Sequence, residues 1–177
     1  MAERLRLNGK KILVVDDEPD ILETLVELLS MCEVTTASSF PEAKQILETQ
    51  KLDVAVLDIM GVDGYKLLEI ANQKKVLAIM LTAHSLSPES TAKAYKEGAA
   101  FFVPKEKMVD MITFLEDVLE AKEIGGNYWA SWLDRFETYY DKIFGPDWKD
   151  SDKEFWEELA RLDWRLTSTL RRNEYNE

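Results

Sequence analysis

Five polar side chains follow the ends of short apolar runs, and together they could hold a divalent metal beside a reactive carboxylate. Asp16 and Asp17 follow the first run, Asp58 the third, Thr82 the fourth and Lys105 the fifth. Three carboxylates about 5 Å apart would repel one another by roughly 3 kcal/mol per pair at an effective dielectric constant of about 20. They would therefore need a cation, and a small set of oxygen ligands suits Mg²⁺ better than Ca²⁺ or Zn²⁺.

Short runs of β-branched, aliphatic and aromatic residues predict the strands that position these side chains. The runs cover residues 12–15, 34–36, 54–57, 76–81 and 101–103, and each is followed by a stretch with helical spacing. Uninterrupted apolar strands are typical of a parallel sheet that is buried between helices on both faces. The carboxyl ends of such strands lie at one edge of the sheet. An acidic pair after a strand is also common as a helix cap, but a hydroxyl and an ammonium at the next strand ends favour a binding site.

Helix boundaries are visible within residues 10–124. Ser39 with Glu42 predicts a capping box, and Ser87 lies before a proline suited to the first helical turn. Gly98 is placed to end the fourth helix. The fifth helix is expected over residues 108–124.

The apolar stripe of that fifth helix is unusually wide. Phe114, Val118 and Ala121 extend it towards half of the circumference. Either the helix is deeply buried, or the additional edge docks another helix or a second subunit.

A second unit is expected after the Gly-Gly pair at residues 125–126, because the composition changes there. All five tryptophans follow this break, at Trp129, Trp132, Trp148, Trp156 and Trp164. Aromatic and apolar residues at helical spacing predict a first helix that contains Trp129, Trp132, Phe136, Tyr139 or Tyr140, and Ile143, and that ends at Gly145-Pro146. Ser151 and Glu154 form a possible capping box for a second helix with Phe155, Leu159, Leu162, Leu166 and Leu170 on one face.

Residues 127–177 are thus expected to form a helical hairpin. Its aromatic faces either form the hairpin's own core or pack on the preceding domain, on a second subunit or on a partner protein. Two helices alone can hardly bury so much aromatic surface.

The charge balance argues against nucleic acid and anionic lipid as partners. The chain has 22 basic and 34 acidic residues and a net charge of −12, which repels phosphate groups. The part from Asn127 onward has eight basic and twelve acidic residues, so it lacks the basic surface of a DNA-binding module.

Membrane insertion and disulfide or zinc chemistry are not expected either. The longest apolar run, residues 76–81, is far shorter than the roughly 18 residues that a membrane span needs. Since the sequence also opens without a charged-then-apolar leader, we expect a cytoplasmic protein. A single cysteine, Cys32, and a single histidine, His84, leave no internal disulfide and no Cys/His zinc site.

As an ordered set, these motifs resemble the receiver domain of bacterial two-component response regulators over residues 10–124. The resemblance is carried by Ile12-Leu-Val-Val-Asp-Asp-Glu18, Val56-Leu-Asp58, Asp63-Gly64, Ile79-Met-Leu-Thr-Ala83 and Gly98-Ala-Ala-Phe-Phe-Val-Pro-Lys105. It implies an α/β fold with a doubly wound, five-stranded parallel sheet of order 2-1-3-4-5, with the C-terminal helical hairpin added to it. Residues 1–9 would be an N-terminal tail.

The resemblance also implies roles for the acidic residues. Asp58 would be the phosphoacceptor. Asp17 would bind Mg²⁺ directly and Asp16 partly through water, while Asp58 and the backbone carbonyl of Met60 would complete the protein's share of the ligands.

Further roles follow from the resemblance for residues on the last two strands. Thr82 and Lys105 would each bind an oxygen of the phosphoryl group. Phe102 matches the aromatic switch position, which responds when the threonine moves. Met60 and His84 occupy positions that the family uses to tune the lifetime of the phosphate, although His84 is alternatively an exposed loop residue without a role.

The implied partner is a sensor histidine kinase or a phosphotransfer protein. We expect the helical extension to dimerise or to bind a protein target instead of DNA, and we expect no enzymatic output. A hydrolase with an aspartyl nucleophile is a weaker alternative, since it would need an acid where Met60 stands.

A departure from the family pattern after Asp58 favours another alternative, a pseudo-receiver that acts as a scaffold without phosphorylation. The segment from Asp58 to Asp63-Gly64 is two residues shorter than usual and lacks the family's proline. A second departure leaves the direction of the Lys105 side chain open, because Glu106 replaces the proline that the family commonly joins to the lysine through a cis bond. A cis bond before any residue other than proline costs about 3 kcal/mol.

Overall fold

The computed structural model describes residues 6–162, in which strands and helices alternate up to the fifth strand and helices follow. The strands are β1 (Lys11–Val15), β2 (Glu33–Ala37), β3 (Val54–Asp58), β4 (Leu77–Thr82) and β5 (Phe101–Pro104). The α-helices are α1 (Pro19–Leu28), α2 (Phe40–Thr49), α3 (Gly64–Gln73), α4 (Pro88–Lys96), α5 (Met111–Ile124), α6 (Trp132–Phe144) and α7 (Lys153–Ala160). Two 3₁₀ helices cover Lys105–Asp110 and Trp148–Asp152.

The strands form one parallel sheet in the order β2-β1-β3-β4-β5. This confirms the predicted α/β fold with C-terminal helices. Every residue of β3 is buried, and so are all residues of β1 after Lys11, as expected for strands covered on both faces. Asp58 pairs with Leu81 and Thr82 pairs with Pro104, so the carboxyl ends of β3, β4 and β5 lie level with one another.

The predicted helix caps at Ser39 and Ser87 are confirmed, but the capping box at Ser39 and Glu42 is incomplete, because the Glu42 carboxylate accepts from the backbone N–H of Ser38 and not from that of Ser39. The Ser39 hydroxyl accepts a hydrogen bond from the backbone N–H of Glu42 at the start of α2. Ser87 caps α4 and forms a reciprocal capping box with Ser90. Gly98 follows α4 with a φ of 93°, a conformation that favours glycine.

The fifth helix begins later than predicted and docks another helix. The prediction of a helix over residues 108–124 was wrong at its start, because Lys105–Asp110 forms a tighter 3₁₀ helix and α5 begins at Met111. The interpretation of the additional apolar edge as a docking edge is confirmed, since the rings of Phe114 and Phe136 lie 5.0 Å apart.

The predicted capping box at Ser151 and Glu154 was wrong. The cap of α7 is Asp152, whose carboxylate accepts from the backbone N–H of Phe155 at 3.3 Å. Ser151 lies inside the preceding 3₁₀ helix, and its hydroxyl donates to the carbonyl of Trp148. The charged acceptor one residue later therefore takes the capping position.

The extension, which we define as residues 127–162, has helices close to those predicted. Gly145 ends α6 as expected, with a φ of 85°. Trp129, expected on this helix, lies in the turn before it, because α6 begins at Trp132. The prediction for Trp164, Leu166 and Leu170 falls outside the described residues.

Part of the predicted N-terminal tail is packed on the first unit. Leu7 is fully buried. The guanidinium of Arg6 lies 3.2 Å from the Glu116 carboxylate and 3.1 Å from that of Glu123, both on α5. Residues 6 and 7 therefore belong to the folded unit.

The extension covers the edge of the sheet that β5 forms. The indole N–H of Trp129 donates to the carbonyl of Ala99, and that of Trp132 donates to the carbonyl of Phe102, both at 2.8 Å. These bonds satisfy carbonyl groups next to and within β5, the strand at the end of the sheet. An uncovered edge strand would otherwise be free to pair with another chain.

The extension also contacts the helices on both sides of β5. On α4, the hydroxyls of Tyr140 and Thr91 lie 2.7 Å apart, and Lys96 pairs with Asp152 at 3.1 Å. On α5, Asp117 accepts from Arg135 of α6 at 2.9 Å. Of the alternatives for the aromatic faces, packing on the preceding domain is therefore the one observed.

The tryptophans of the extension form a continuous aromatic cluster with the first unit. Trp132 lies 5.3 Å from Phe136, 5.0 Å from Tyr140 and 5.8 Å from Trp156 between ring centroids. Phe101 of β5 joins the cluster through Phe136, at 5.9 Å. Among residues 6–162, no helix is long and apolar enough to cross a membrane.

Tyr140→Phe tests the docking of α6 on α4. The Thr91 hydroxyl donates to the carbonyl of Ser87, so the Tyr140 hydroxyl is the donor to Thr91. Burial raises the pKa of Tyr140 above its usual range and keeps that proton in place. Loss of the bond should lower the free energy of unfolding by about 1 kcal/mol in urea titrations. Tyr128→Phe is the control and should stay within about 0.5 kcal/mol of wild type; an equal loss in both variants would contradict the assignment.

Candidate functional site

The ammonium group of Lys105 lies at the centre of an acidic cluster at the carboxyl edge of the sheet. Its Nζ lies 2.9 Å from Asp16 Oδ2, 3.0 Å from Glu18 Oε1 and 3.4 Å from Asp58 Oδ1. The Lys105 side chain is only 9% exposed. Lys105 from the segment after β5 thus meets carboxylates from the loop after β1 and from the end of β3, as the sequence predicted for Asp16 and Asp58.

The first loop of the chain supplies three neighbouring carboxylates. Carboxylate oxygens of Asp16, Asp17 and Glu18 all lie within 4.8 Å of one another. Asp16 is buried, whereas Asp17 and Glu18 are exposed. The backbone N–H of Glu18 donates to Asp16 Oδ1 at 2.9 Å, which fixes the turn. An oxygen-only set of this kind fits Mg²⁺.

Glu18 is the residue that sequence reasoning missed. It was part of the motif Ile12–Glu18 but received no role, although it contacts Lys105 as closely as Asp16 does. Its position directly after the acidic pair was the available signal. The contact itself depends on the fold, because Glu18 and Lys105 are separated by 87 positions.

The loop after Asp58 approaches the acidic cluster closely. Gly61 has a φ of 85°, and a Cβ atom there would overlap the carboxylate of Asp17. A Cβ at Gly64 would overlap the carbonyl oxygen of Asp58. The short loop therefore folds back tightly over the site, and Gly61 within it and Gly64 at the start of α3 permit this path. Met60 is 54% exposed, and the ligand role of its carbonyl stays a prediction.

The residues predicted to sense the phosphoryl group lie at the ends of β4 and β5. Thr82 is buried, and its hydroxyl accepts from the backbone N–H of Ser85 at 3.1 Å. Phe102 is fully buried on β5. His84 is exposed in the loop after Thr82. Their roles in binding, switching and lifetime tuning stay predictions.

Burial and mutual repulsion set the electrostatics of the carboxylates. Burial, helped by the nearby charge of Asp16, raises the pKa of Asp58 to about 6, although Lys105 opposes the shift. Burial also raises the pKa of Asp16. Burial lowers the pKa of Lys105, but its hydrogen bonds to Asp16 and Glu18 outweigh this, so that the pKa lies above its usual value. The lysine therefore stays charged.

The peptide bond after Lys105 is trans, since the described residues contain no cis peptide bond. Glu106 therefore occupies the position of the family's proline without a cis bond. The lysine nevertheless reaches Asp58, so the trans bond does not turn it away from the site.

A sequence model of the response regulator receiver domain matches residues 12–116, more than half of the chain. The chain belongs to the response regulator receiver family.

Among curated relatives, the chain is 34% identical over 121 residues to the heme response regulator HssR of Staphylococcus aureus (strain Newman), covering 65% of this chain and 54% of HssR. It is 29% identical over 167 residues to the two-component response regulator ARR11 of Arabidopsis thaliana, covering 82% of this chain and 32% of ARR11. The chain thus spans about half of the length of HssR and about a third of the length of ARR11.

Solved receiver structures share the fold of the first unit. A CheY-like receiver domain protein from Methanospirillum hungatei is 26% identical, with a TM-score of 0.61, and the match covers 67% of this chain and all of that one. A receiver domain protein from Clostridium thermocellum is 30% identical, with a TM-score of 0.57 and coverage of 65% and 98%. These matches confirm the resemblance found in the sequence.

Asp58→Asn should stabilise the metal-free receiver at neutral pH. The pKa of Asp58 is about 6 in the folded chain, above the value of about 4 expected when it is unfolded. The folded state therefore loses stability as the pH rises from about 4 to about 6, and the full penalty is present above this window. Asparagine removes the penalty, so urea titrations at pH 7 with EDTA should show a gain of about 3 kcal/mol.

The gain should shrink as the pH is lowered towards 4, because Asp58 is then neutral in wild type as well. Glu69→Gln makes the same charge change at an exposed position on α3 and is the control. A pH-independent difference, or an equal gain in the control, would contradict the electrostatic explanation.

Proposed function

We propose that this receiver accepts a phosphoryl group on Asp58 from a phosphohistidine of a sensor histidine kinase or a phosphotransfer protein. The observation that carries the proposal is the contact between a buried Asp58 carboxylate and the Lys105 ammonium, at 3.4 Å, beside the carboxylates of Asp16 and Asp17. Membership of the receiver family supports it.

In the proposed transfer, an Asp58 oxygen forms the new P–O bond while the P–N bond to the donor imidazole breaks. The imidazole leaves and takes up a proton. Negative charge spreads over the transferred oxygens and must be neutralised. Lys105 is the cation available from the chain, and the Thr82 hydroxyl, which accepts from the backbone N–H of Ser85, would donate its own proton to a phosphoryl oxygen.

Asp16, Asp17 and Asp58, with the Met60 carbonyl, would hold Mg²⁺, and Glu18 lies close enough to assist. When bound, the ion supplies positive charge next to the transferred phosphoryl oxygens. The chain's own contribution is to gather the carboxylates, to aim Lys105 at Asp58 and to exclude bulk water from the buried acid.

A second candidate is the pseudo-receiver that acts as a scaffold without phosphorylation. One observation favours it: Asp58 is only 3% exposed, and Lys105 already pairs with it. Under the first proposal, the ammonium exchanges part of its contact with Asp16 and Glu18 for an incoming phosphoryl oxygen. Under the second, the ion pair is permanent.

We further propose that the chain is a cytoplasmic signalling protein, without an enzymatic output, that acts through protein contacts or homodimerisation and not through DNA. The net negative charge supports this proposal. The face formed by α4, β5 and α5 is covered by the extension, so a partner or a second copy would meet the outer surface of the extension first. Ile143 on α6, which is 46% exposed, lies on that surface.

Incubation with acetyl phosphate and Mg²⁺ tests the phosphoacceptor. Wild type should gain the mass of one phosphoryl group in intact-protein mass spectrometry, and the modification should be lost under mild alkaline conditions, as expected for an acyl phosphate. Asp58→Asn should gain nothing. The same gain in Asp58→Asn would refute the assignment of Asp58, and no gain in wild type would favour the pseudo-receiver.

Asp17→Asn tests the metal site. Removing one charged ligand should raise the Mg²⁺ concentration required for half-maximal phosphorylation by about tenfold. The Mg²⁺ dependence of acetyl phosphate labelling provides the measurement. Glu23→Gln changes the same charge at an exposed position of α1 and should leave the dependence unchanged; equal shifts in both variants would indicate a general charge effect.

A further inference from the structure

The backbone segment that carries Lys105 is only partly buried. Lys105 opens the 3₁₀ helix Lys105–Asp110, none of whose residues is buried, and no side chain caps its start. The proline that commonly follows the lysine in this family is replaced by Glu106. The carboxylates around Nζ hold the end of the Lys105 side chain, and the position of the backbone that carries it depends on further contacts.

The extension supplies such contacts on both sides of the lysine. Before it, the indole N–H of Trp132 donates to the carbonyl of Phe102 at 2.8 Å. After it, the hydroxyl of Tyr139 donates to the Glu106 carboxylate at 2.6 Å. Both donors lie on α6. The end of β5 and the start of the 3₁₀ helix are thus held by one rigid element.

Tyr139 is suited to this role because it makes two contacts with the 3₁₀ helix. Besides its bond to Glu106, its ring lies 4.8 Å from Lys107 Nζ, in a cation–π arrangement. Burial and the Glu106 acceptor raise the pKa of Tyr139 to about 12, so its hydroxyl keeps its proton at neutral pH. A hydrogen bond to a charged acceptor is stronger than one between neutral groups.

We propose that Tyr139 and Glu106 form a positioning pair through which the extension holds the Lys105 ammonium between Asp16 and Asp58. The pair touches neither the acceptor carboxylate nor the incoming phosphoryl group, and it acts only through Lys105. Its importance for phosphoryl transfer rests on the proposed function. The placement of Lys105 can be measured without any transfer.

The placement of Lys105 can be measured by competitive lysine acetylation with a limiting amount of acetic anhydride in the absence of metal. Lys66, whose side chain is 70% exposed, is the internal reference. In wild type, the nearly buried Lys105 should be acetylated much more slowly than Lys66. Tyr139→Phe and Glu106→Ala should each raise the relative labelling of Lys105 by about fivefold, the effect of losing one hydrogen bond.

Two variants separate positioning from general damage. Glu106→Gln removes the charge but keeps an oxygen that can accept from Tyr139, so it should restore most of the protection lost in Glu106→Ala. Tyr128→Phe removes a hydroxyl from the same extension. Among residues 6–162, no hydrogen bond of the Tyr128 side chain is described, so this variant should behave as wild type. The proposal is overturned if Tyr139→Phe leaves the labelling of Lys105 unchanged, or if Glu106→Gln exposes Lys105 as much as Glu106→Ala does.

Phosphorylation by acetyl phosphate then distinguishes failure of this proposal from failure of the proposed function. If wild type accepts phosphate, Tyr139→Phe should slow the reaction severalfold, and it should have no further effect in a Lys105→Ala background. An undiminished effect in that background would show that Tyr139 acts by another route and would overturn the positioning role. If wild type accepts no phosphate, the proposed function fails, and the labelling experiment still decides the role of Tyr139.

Discussion

The structure depends on placing one buried ammonium among several carboxylates that would otherwise repel one another. Lys105 lies within 3.4 Å of Asp16, Glu18 and Asp58, which come from the loop between β1 and α1 and from the end of β3. Removing this charge would leave two buried acids side by side, and the raised pKa values of Asp16 and Asp58 show that the lysine compensates only part of their burial. The remaining excess of negative charge suits the site to a divalent cation.

The parallel sheet is what makes this arrangement possible. In parallel strands all carboxyl ends lie at one edge, so that residues far apart in the chain meet there. The register of β3, β4 and β5 pairs Asp58 with Leu81 and Thr82 with Pro104, so that Asp58, Thr82 and Pro104 lie within one residue of the same level. The loop after β3 then closes over the cluster, and its shortened path relies on close backbone approaches at Gly61 and Gly64.

The extension links the aromatic surface of the C-terminal helices to the same edge of the molecule. Its indole groups satisfy carbonyls at and beside β5, and its tyrosines bond to α4 and to the segment that contains Lys105. The aromatic residues that could not form a core in a two-helix unit are buried because the receiver supplies the other half of the interface. The face formed by α4, β5 and α5 is thereby occupied within the chain.

Sequence patterns were sufficient to predict much of this protein, because strand periodicity, capping residues and strand-end polar residues are local signals. They predicted the five strands, the helix starts at Ser39 and Ser87, and the gathering of Asp16, Asp58 and Lys105. Local signals were less reliable where alternatives lay one residue apart, as for Asp152 in place of Ser151, or where a helix begins with 3₁₀ geometry, as before Met111. The contact of Glu18 with Lys105, the docking of the tryptophans on their own receiver and the bond between Tyr139 and Glu106 were decided only by the tertiary structure. Such contacts join residues that are distant in sequence, and their existence depends on the mutual orientation of whole elements, which no short stretch of chain specifies.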